Sequence, residues 1–243
     1  MPRFFLSGGS SIAGGTAFIL GEDAAHAKVL RLRVGDTMIV CDGGKDHHCT
    51  VTKITPNEVE AEIFEVVPCQ GEPSVHTVIL AGLPKGSDKT DYILQKCTEA
   101  GVCRIVPVEM PRCVAHLDGK DDKKLARWNR IAREAAKQAF RPVTPEVAAP
   151  IDLNALCRAL PGHQLALVPW EDAREGTLPR LISPDIADLA IVIGPEGGMG
   201  ESEVQRMLGS GARAVTLGPR IFRTETAGLA AIIAAMALSG NLE

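Results

Sequence analysis

Residues 193–200, IGPEGGMG, and residues 217–227, LGPRIFRTETA, decide how this chain folds. Each segment follows a short apolar run and precedes a run with helical spacing, as expected at a turn from a strand into a helix. Glycines at such turns allow the backbone to approach another group closely. Two such loops close together in the sequence predict one small-molecule pocket lined largely by main-chain groups.

Neither glycine loop has the form of a phosphate-binding loop. No Lys follows Gly200, and the spacing of Gly194, Gly197, Gly198 and Gly200 is not that of a dinucleotide fingerprint. This pattern argues against a nucleotide-binding oxidoreductase and favours a ligand that is not held by phosphate contacts. The alternative is that these glycines only form tight turns.

Short strands are predicted over the first 70 residues. The runs 37–41, 49–54 and 59–64 alternate or are continuously apolar, and Asp42-Gly43-Gly44 supplies a hairpin turn. With one helix at 24–32, this region predicts a small β-barrel domain over residues 1–70. Residues 68–73, PCQGEP, read as a linker to a second domain over 74–243.

The second domain alternates strands with helices. A strand at 75–81 precedes a helix at 89–100 that ends at Gly101, and a strand follows at 104–108. Three brief apolar runs, at 164–168, 189–193 and 214–217, are typical of parallel strands that are buried on both faces. We expect an α/β sheet with its ligand at the carboxyl ends of the strands, where both glycine loops lie.

Composition places few limits on function. The chain has 243 residues, 45% of them hydrophobic, and a formal net charge of −4. Its cysteines are odd in number and lack metal-like spacing, so we expect reduced thiols and no metal site. The apolar run 227–238 is shorter than the roughly 20 residues that span a bilayer, so we expect a cytoplasmic protein with no membrane partner. The seven cysteines are Cys41, Cys49, Cys69, Cys97, Cys103, Cys113 and Cys157.

Residues 120–141 are strongly basic, with eight basic and three acidic side chains. The apolar members of this segment recur at helical spacing and form one stripe, which leaves the basic residues, Lys137 among them, on the remaining helix surface. An ordinary solvated face would explain this pattern. Together with Arg3, Lys28, Arg31 and Arg33, however, the segment also suits a surface that contacts RNA phosphates.

The chain resembles the RsmE family of bacterial 16S rRNA uracil-N3 methyltransferases, members of the SPOUT superfamily. The resemblance implies a PUA-like RNA-binding barrel and an α/β domain whose C-terminal segment forms a trefoil knot around S-adenosylmethionine. It also implies a homodimer that acts on 16S rRNA or the 30S subunit. The residues that carry the resemblance are 2–5, 26–36, 42–43, 89–102, 105–112, 128–138 and the two glycine loops.

The resemblance also implies which residues bind the cofactor and the RNA. Main-chain groups would hold the adenine while apolar side chains pack against it. The cofactor residues would be Leu167, Val168, Ile193, Gly194, Gly198, Leu217, Gly218, Ile221, Phe222, Arg223 and Thr226. The RNA-binding residues would be Arg3, Arg31, Arg33, Arg112, Arg127, Arg130, Arg133 and Arg141. One departure is Phe140, which stands where the family pattern has Gly before Arg141.

The implied reaction directs attention to three charged residues. Uracil N3 carries a weakly acidic proton, so its methylation needs a cation or donor near the uracil oxygens and a proton acceptor. We expect Arg223 to supply the cation, and Glu225 or Glu196 to accept the proton. The alternative is that Arg223 and Glu225 form a structural ion pair.

Two other functions stay open from the sequence. One is a SPOUT methyltransferase that acts on another RNA nucleotide. The other is a non-catalytic ribosome-assembly factor that binds RNA, although such a protein would not need both glycine loops.

Overall fold

The structure, a computed structural model, describes residues 1–6, 9–114, 122–174 and 176–242. The chain divides into two compact units. Unit one contains Met1–Glu72 and Ala136–Val143, and unit two contains Pro73–Ala135 and Thr144–Glu243. The expected fold class, an α/β domain with a smaller N-terminal β domain, is confirmed.

Unit one is built on a six-stranded sheet with the order β1-β4-β5-β6-β3-β2. Only β1 and β4 pair in parallel; the other neighbours are antiparallel. Strands β4 and β5 form the predicted hairpin, and Phe4, Ile19, Met38 and Val40 are buried in the core of this unit. The strands are β1 (Arg3–Phe5), β2 (Ser11–Ala13), β3 (Thr16–Leu20), β4 (Thr37–Cys41), β5 (Lys45–Ile54) and β6 (Glu58–Pro68).

The helix of unit one, α1, spans Gly21–Val29 and so begins and ends three residues earlier than predicted. Ala24 and Ala27 face the core of the unit. The helix cannot continue to 32 because Arg31 adopts a φ of 57°, a left-handed conformation that turns the backbone away from the helix axis.

Helix α3 (Asp122–Gln138) contains the predicted apolar stripe: Trp128, Ala132 and Ala135 are buried. Lys120 and Asp121, which begin the basic segment, lie outside the described residues. The prediction that Lys137 belongs to the basic surface is wrong. Lys137 is buried, and its Nζ donates to Asp23 Oδ1 at 2.8 Å. A buried ammonium without a carboxylate would be strongly destabilising, so this lysine has a structural role in unit one.

Unit two is built on a seven-stranded sheet in which every pairing is parallel. Its order is β10-β8-β7-β12-β11-β13, and β9 also pairs with β8. The central strands are almost entirely apolar, as expected for strands covered on both faces. The strands are β7 (His76–Gly82), β8 (Arg104–Glu109), β9 (Glu146–Val147), β10 (Ile151–Asp152), β11 (Leu165–Pro169), β12 (Asp188–Ile193) and β13 (Arg213–Val215).

Helix α7 packs against α2 and against the central strands β7 and β12. Helix α2 ends one residue earlier than predicted, at Glu99, and Gly101 reverses the chain with a φ of 97° after the Ala100 cap. In the described ranges, no helix is both long enough and apolar enough to cross a membrane. The remaining helices of unit two are α2 (Ser87–Glu99), α4 (Leu153–Ala159), α5 (Leu178–Leu181), α6 (Glu201–Gly209) and α7 (Thr224–Leu238).

The parallel sheet brings four loops to one edge. Because β7, β12, β11 and β13 are successive neighbours and run in the same direction, their carboxyl ends lie side by side. The loops that begin at Leu83, Gly194, Trp170 and Thr216 therefore meet at that edge. This is the position that open α/β sheets use for ligand binding.

Candidate functional site

A pocket of about 450 Å³ lies in unit two, at the carboxyl ends of β11 and β12. Both glycine loops contribute to it, as the sequence predicts. Helix α2 and the loop after β11 supply further walls. The lining residues are Lys89, Pro169, Glu171, Ile193–Met199, Ile221–Glu225 and Ala227.

The structure brings many of the predicted site residues together in this pocket. All three candidates for the chemistry, Glu196, Arg223 and Glu225, line it. Six of the residues expected to hold the cofactor line it too: Ile193, Gly194, Gly198, Ile221, Phe222 and Arg223.

Five of the expected cofactor residues do not line the pocket. Leu167 and Val168 are fully buried in β11 and belong to the core of unit two. Leu217 packs partly against that core, and Gly218 is exposed with a φ of 100°. Thr226 lies in the first turn of α7, where its N–H donates to Arg223 O at 2.9 Å.

The first glycine loop is packed tightly against its neighbours. A Cβ on Gly82, at the end of β7, would lie 2.6 Å from Pro195 N, so only glycine leaves room for the loop. A Cβ on Gly194 would lie 2.8 Å from Met199 Cγ. Arg112 covers the loop from another side, where its Nη1 donates to Gly197 O at 3.1 Å. These contacts hold the loop backbone in one position.

Glu196 is fixed at the rim of the pocket by hydrogen bonds from helix α2 and from a residue that precedes this helix. Lys89 Nζ donates to Glu196 Oε1 at 2.7 Å, and the Lys85 N–H lies 3.1 Å from both carboxylate oxygens. Partial burial alone would raise the pKa of Glu196, but the hydrogen bonds from Lys89 and Lys85 outweigh it and hold that pKa below its usual range. Glu196 is therefore an ion-paired carboxylate and a weak base.

Arg223 and Glu225 flank the start of α7. The hydrogen bond to Glu196 raises the pKa of Lys89. The negative charge of Glu225 also raises the pKa of Lys89, whereas the positive charge of Arg223 lowers it. These four side chains therefore interact electrostatically. Within the described residues, no ion pair joins Arg223 to Glu225, and Glu225 Oε2 is buried without a hydrogen-bond partner. The alternative of a structural ion pair between them is therefore not what the structure shows.

Two charged residues of the pocket were missed by the sequence reasoning. Lys89 belongs to the segment 89–102, which carries the family resemblance but suggested only a helix. Glu171 follows the carboxyl end of β11 by two residues. The signal that could have identified Glu171 is its place after a parallel strand, where ligand-binding side chains concentrate.

The arginines expected to bind RNA fall into three groups. Arg31, Arg33 and Arg130 are exposed, and Arg133 is half-buried. Arg127 forms an ion pair with Asp91, and Arg112 contacts the first glycine loop.

Arg3 and Arg141 must be withdrawn from the expected RNA surface. Arg3 is 5% exposed and pairs with Asp46, while Arg141 is 2% exposed and pairs with Glu72 at 2.6 Å. Both guanidinium groups are buried against carboxylates inside unit one and present no free face to a phosphate.

Three polar groups in unit one come close enough to hold a metal ion. Ligand atoms of Cys41, Asp46 and Cys69 lie within 4.8 Å of one another. Arg3 donates to Asp46 Oδ2 at 2.7 Å, however, and Cys69 Sγ donates to Asp46 Oδ1 at 3.0 Å. Burial raises the pKa of the Cys69 thiol, and its hydrogen bond to Asp46 raises it further, which disfavours the thiolate that a metal requires. The absence of a metal stays a prediction.

Comparisons with known proteins place this architecture in a family. An RNA methyltransferase domain model matches residues 71–236, and an RNA methyltransferase PUA domain model matches residues 19–64. The ribosomal RNA small subunit methyltransferase E of Bacillus subtilis is 35% identical over 228 residues, which cover 90% of this chain and 89% of that protein.

Solved structures agree over almost the whole chain. The ribosomal RNA small subunit methyltransferase E from Neisseria gonorrhoeae, bound to S-adenosyl methionine, is 34% identical with a TM-score of 0.88, and the match covers 98% of each chain. A methyltransferase from Legionella pneumophila in complex with the same cofactor is 28% identical with a TM-score of 0.85, covering 97% of this chain and 96% of that one. Two domain models in order, the matched length and the shared fold agree: this chain belongs to the ribosomal RNA small subunit methyltransferase E family of RNA methyltransferases.

Proposed function

We propose that this protein transfers a methyl group from S-adenosylmethionine to N3 of a uridine in 16S rRNA. Family membership supports the methyltransferase activity and the ribosomal substrate. The observation that carries the rest is the pocket at the sheet edge, where the second glycine loop presents Arg223 and Glu225 and no ion pair among the described residues joins them. N3 methylation of uracil needs a cation or donor near the uracil oxygens and a proton acceptor, and Arg223 and Glu225 can supply these two groups.

The pocket suits S-adenosylmethionine in size and lining. Its volume of about 450 Å³ falls in the range of small-molecule sites. Ile193 and Phe222 offer apolar surface, while Gly194 and Gly198 line the pocket with main-chain groups because they have no side chain. We assign the cofactor to these residues. When bound, S-adenosylmethionine supplies an electrophilic methyl group on a sulfonium sulfur.

The three candidates for the chemistry, Arg223, Glu225 and Glu196, have different proposed roles. Arg223 is exposed at the pocket and can hold a uracil oxygen while negative charge develops on the ring. Glu225 has an oxygen without a hydrogen-bond partner, and we assign it to accept the N3 proton. Glu196 is less suited to that task because three hydrogen bonds stabilise its anionic form. We assign Glu196 to holding the first glycine loop.

The expected RNA contacts remain proposals. Unit one carries the match to the PUA domain, and its exposed Arg31 and Arg33 are suited to phosphate contacts. In unit two, Arg130 is exposed on α3. Such contacts position an RNA backbone without reading its sequence.

The decisive experiment incubates the protein and labelled S-adenosylmethionine with undermethylated 30S subunits or 16S rRNA, followed by mass spectrometry of the nucleosides. We expect 3-methyluridine. We also expect Arg223→Ala to lower the rate of 3-methyluridine formation about a hundredfold or more. The variant should still bind the cofactor in calorimetry.

The other outcomes separate the alternatives. Label in a different nucleoside would keep the methyltransferase activity and overturn the uridine N3 assignment. No label on either RNA form, with folded protein, would favour a non-catalytic ribosome-assembly factor.

We also infer a homodimer built through α7. From residue 227 to residue 238 this helix is apolar on every side, and Ile233 is 45% exposed although α7 packs against β7 and β12. A helix with no polar face is normally covered all round. Sedimentation as a monomer at micromolar concentration would reject the dimer.

The trefoil knot is a further proposal. The chain leaves the edge strand β13 and returns to α7, which packs on the central strands, and this return supports the knot. A crystal structure of this chain whose Cα trace reduces to an unknotted line would reject it. The cytoplasmic location stays a prediction.

A further inference from the structure

The charged side chains that line the pocket do not balance. The described lining residues include two cations, Lys89 and Arg223, and three carboxylates, Glu171, Glu196 and Glu225. Lys89 and Glu196 neutralise each other through their 2.7 Å contact. Arg223 can offset only one of the two remaining carboxylates. The lining is therefore left with one uncompensated negative charge.

Glu171 is the carboxylate that is least compensated. It is exposed, and its Oε1 faces Gly198 so closely that a Cβ on that glycine would lie 3.5 Å away. Gly198 has a φ of 67°, so glycine at this position both permits the turn and leaves the carboxylate uncovered. Glu225, by contrast, lies in one electrostatic cluster with Lys89 and with Arg223, the cation that is left to offset it. The nearby Asp172 interacts with Arg174 at 3.8 Å and does not line the pocket.

The cofactor and its product differ in charge. S-adenosylmethionine carries a sulfonium cation, whereas S-adenosylhomocysteine has a neutral thioether at the same position, and the two share every other group. A fixed negative charge at the pocket therefore interacts more favourably with the cofactor than with the product. Hydrogen bonds and apolar contacts to the adenine, ribose and amino-acid groups cannot make this distinction.

We propose that Glu171 is a specificity-determining residue that makes the pocket bind the cationic cofactor in preference to the demethylated product. This inference rests on the proposed cofactor site. The consequence is that methyl transfer removes the charge that Glu171 attracts, which weakens binding once the reaction is complete and favours exchange of product for cofactor. Because Glu171 is exposed, solvent screens the attraction, and we expect it to change the affinity ratio about three- to tenfold.

Calorimetry with three ligands tests this proposal. They are S-adenosylmethionine, S-adenosylhomocysteine and sinefungin, in which a protonated amine replaces the sulfonium. Glu171→Gln removes the charge while it keeps the shape of the side chain. We expect Glu171→Gln to lower the affinity for the two cationic ligands about three- to tenfold. The affinity for S-adenosylhomocysteine should change less than about twofold. Asp172→Asn makes the same charge change in the same loop and should leave all three affinities within about twofold.

Other results would overturn the inference in distinguishable ways. Equal weakening of all three ligands in Glu171→Gln would mean that Glu171 contacts a group common to cofactor and product. Loss of the preference in Glu225→Gln instead would assign the discriminating charge to Glu225. No binding of any ligand by the folded wild-type protein would remove the proposed cofactor site, and this inference with it.

Discussion

Lys89 Nζ donates to Glu196 Oε1 at 2.7 Å, which ties the first turn of α2 to the first glycine loop. The two residues are separated by more than a hundred positions in the chain, and only the pairing of β7 with β12 brings them together. The pair therefore reports whether the loop is held in the geometry that forms the pocket.

Removing this pair should loosen the first glycine loop. We expect Lys89→Ala and Glu196→Gln each to weaken S-adenosylmethionine binding about threefold to tenfold, because the loop loses an anchor and must be ordered by the ligand. Lys89→Arg should retain most of the affinity. Lys96→Ala is the matched control, since it breaks an exposed pair with Glu99 on the same helix. Unchanged cofactor binding in Lys89→Ala, measured by calorimetry, would contradict the anchoring role.

Gly82 should tolerate no side chain. Gly82→Ala would place a Cβ 2.6 Å from Pro195 N and 2.7 Å from Pro195 Cδ, so the first glycine loop must shift. We expect a loss of about 1–3 kcal/mol in the free energy of unfolding and a marked loss of cofactor affinity. Gly162→Ala is the control, because nothing lies within 4 Å of its added Cβ. Thermal unfolding and calorimetry measure the two effects; a Gly82→Ala variant with normal cofactor affinity would refute the packing argument.

The turn between β4 and β5 should lose stability in acid. Burial opposes ionisation of Asp42, but hydrogen bonds with His47 and with the Gly44 and Lys45 N–H groups outweigh it and lower the pKa of Asp42 from 3.8 to about 2. A carboxyl with a lowered pKa stabilises the fold above its ordinary pKa, and this contribution fades as pH falls from about 4 towards about 2.

Asp42→Asn tests the sign of this effect. We expect the variant to be less stable than wild type by about 1 kcal/mol at about pH 7, and the difference to shrink below about pH 4. Hydrogen exchange over residues 37–54 in urea measures it locally, which is useful because both tryptophans lie in unit two. The exposed Glu62→Gln is the control. A difference that grows in acid would be inconsistent with the lowered pKa.

Phe140 should be replaceable by glycine more easily than by alanine. Its φ of 57° is unfavourable for a bulky side chain, and it occupies the position where the resemblance expects Gly. Both substitutions remove the ring, which lies 6.0 Å from Arg3 Cζ, but only glycine relieves the backbone strain. We expect the free energy of unfolding of Phe140→Gly to exceed that of Phe140→Ala by at least about 1 kcal/mol. Equal stabilities in chemical denaturation would show that no strain is stored there.

Local patterns were sufficient for the architecture and for most of the pocket. The apolar runs at 37–41, 104–108 and 189–193 predicted strands because a side-chain period and a run length are properties of neighbouring residues. The glycine loops could be located for the same reason, and the rule that parallel strands present their carboxyl ends at one edge placed them together. Arg223, Glu225 and Glu196 were selected within those loops only because the family resemblance implied the reaction.

Long-range contacts set the environment of individual charges, and a linear pattern carries little information about them. Arg3, Lys137 and Arg141 looked like surface cations, yet each is buried against a carboxylate that is distant in the chain. Lys89 and Glu171 joined the pocket only because the sheet order places α2 and the loop after β11 beside the first glycine loop. A charge in a sequence is a fixed property of its residue, but its exposure, partner and pKa depend on atoms that folding brings to within a few ångströms.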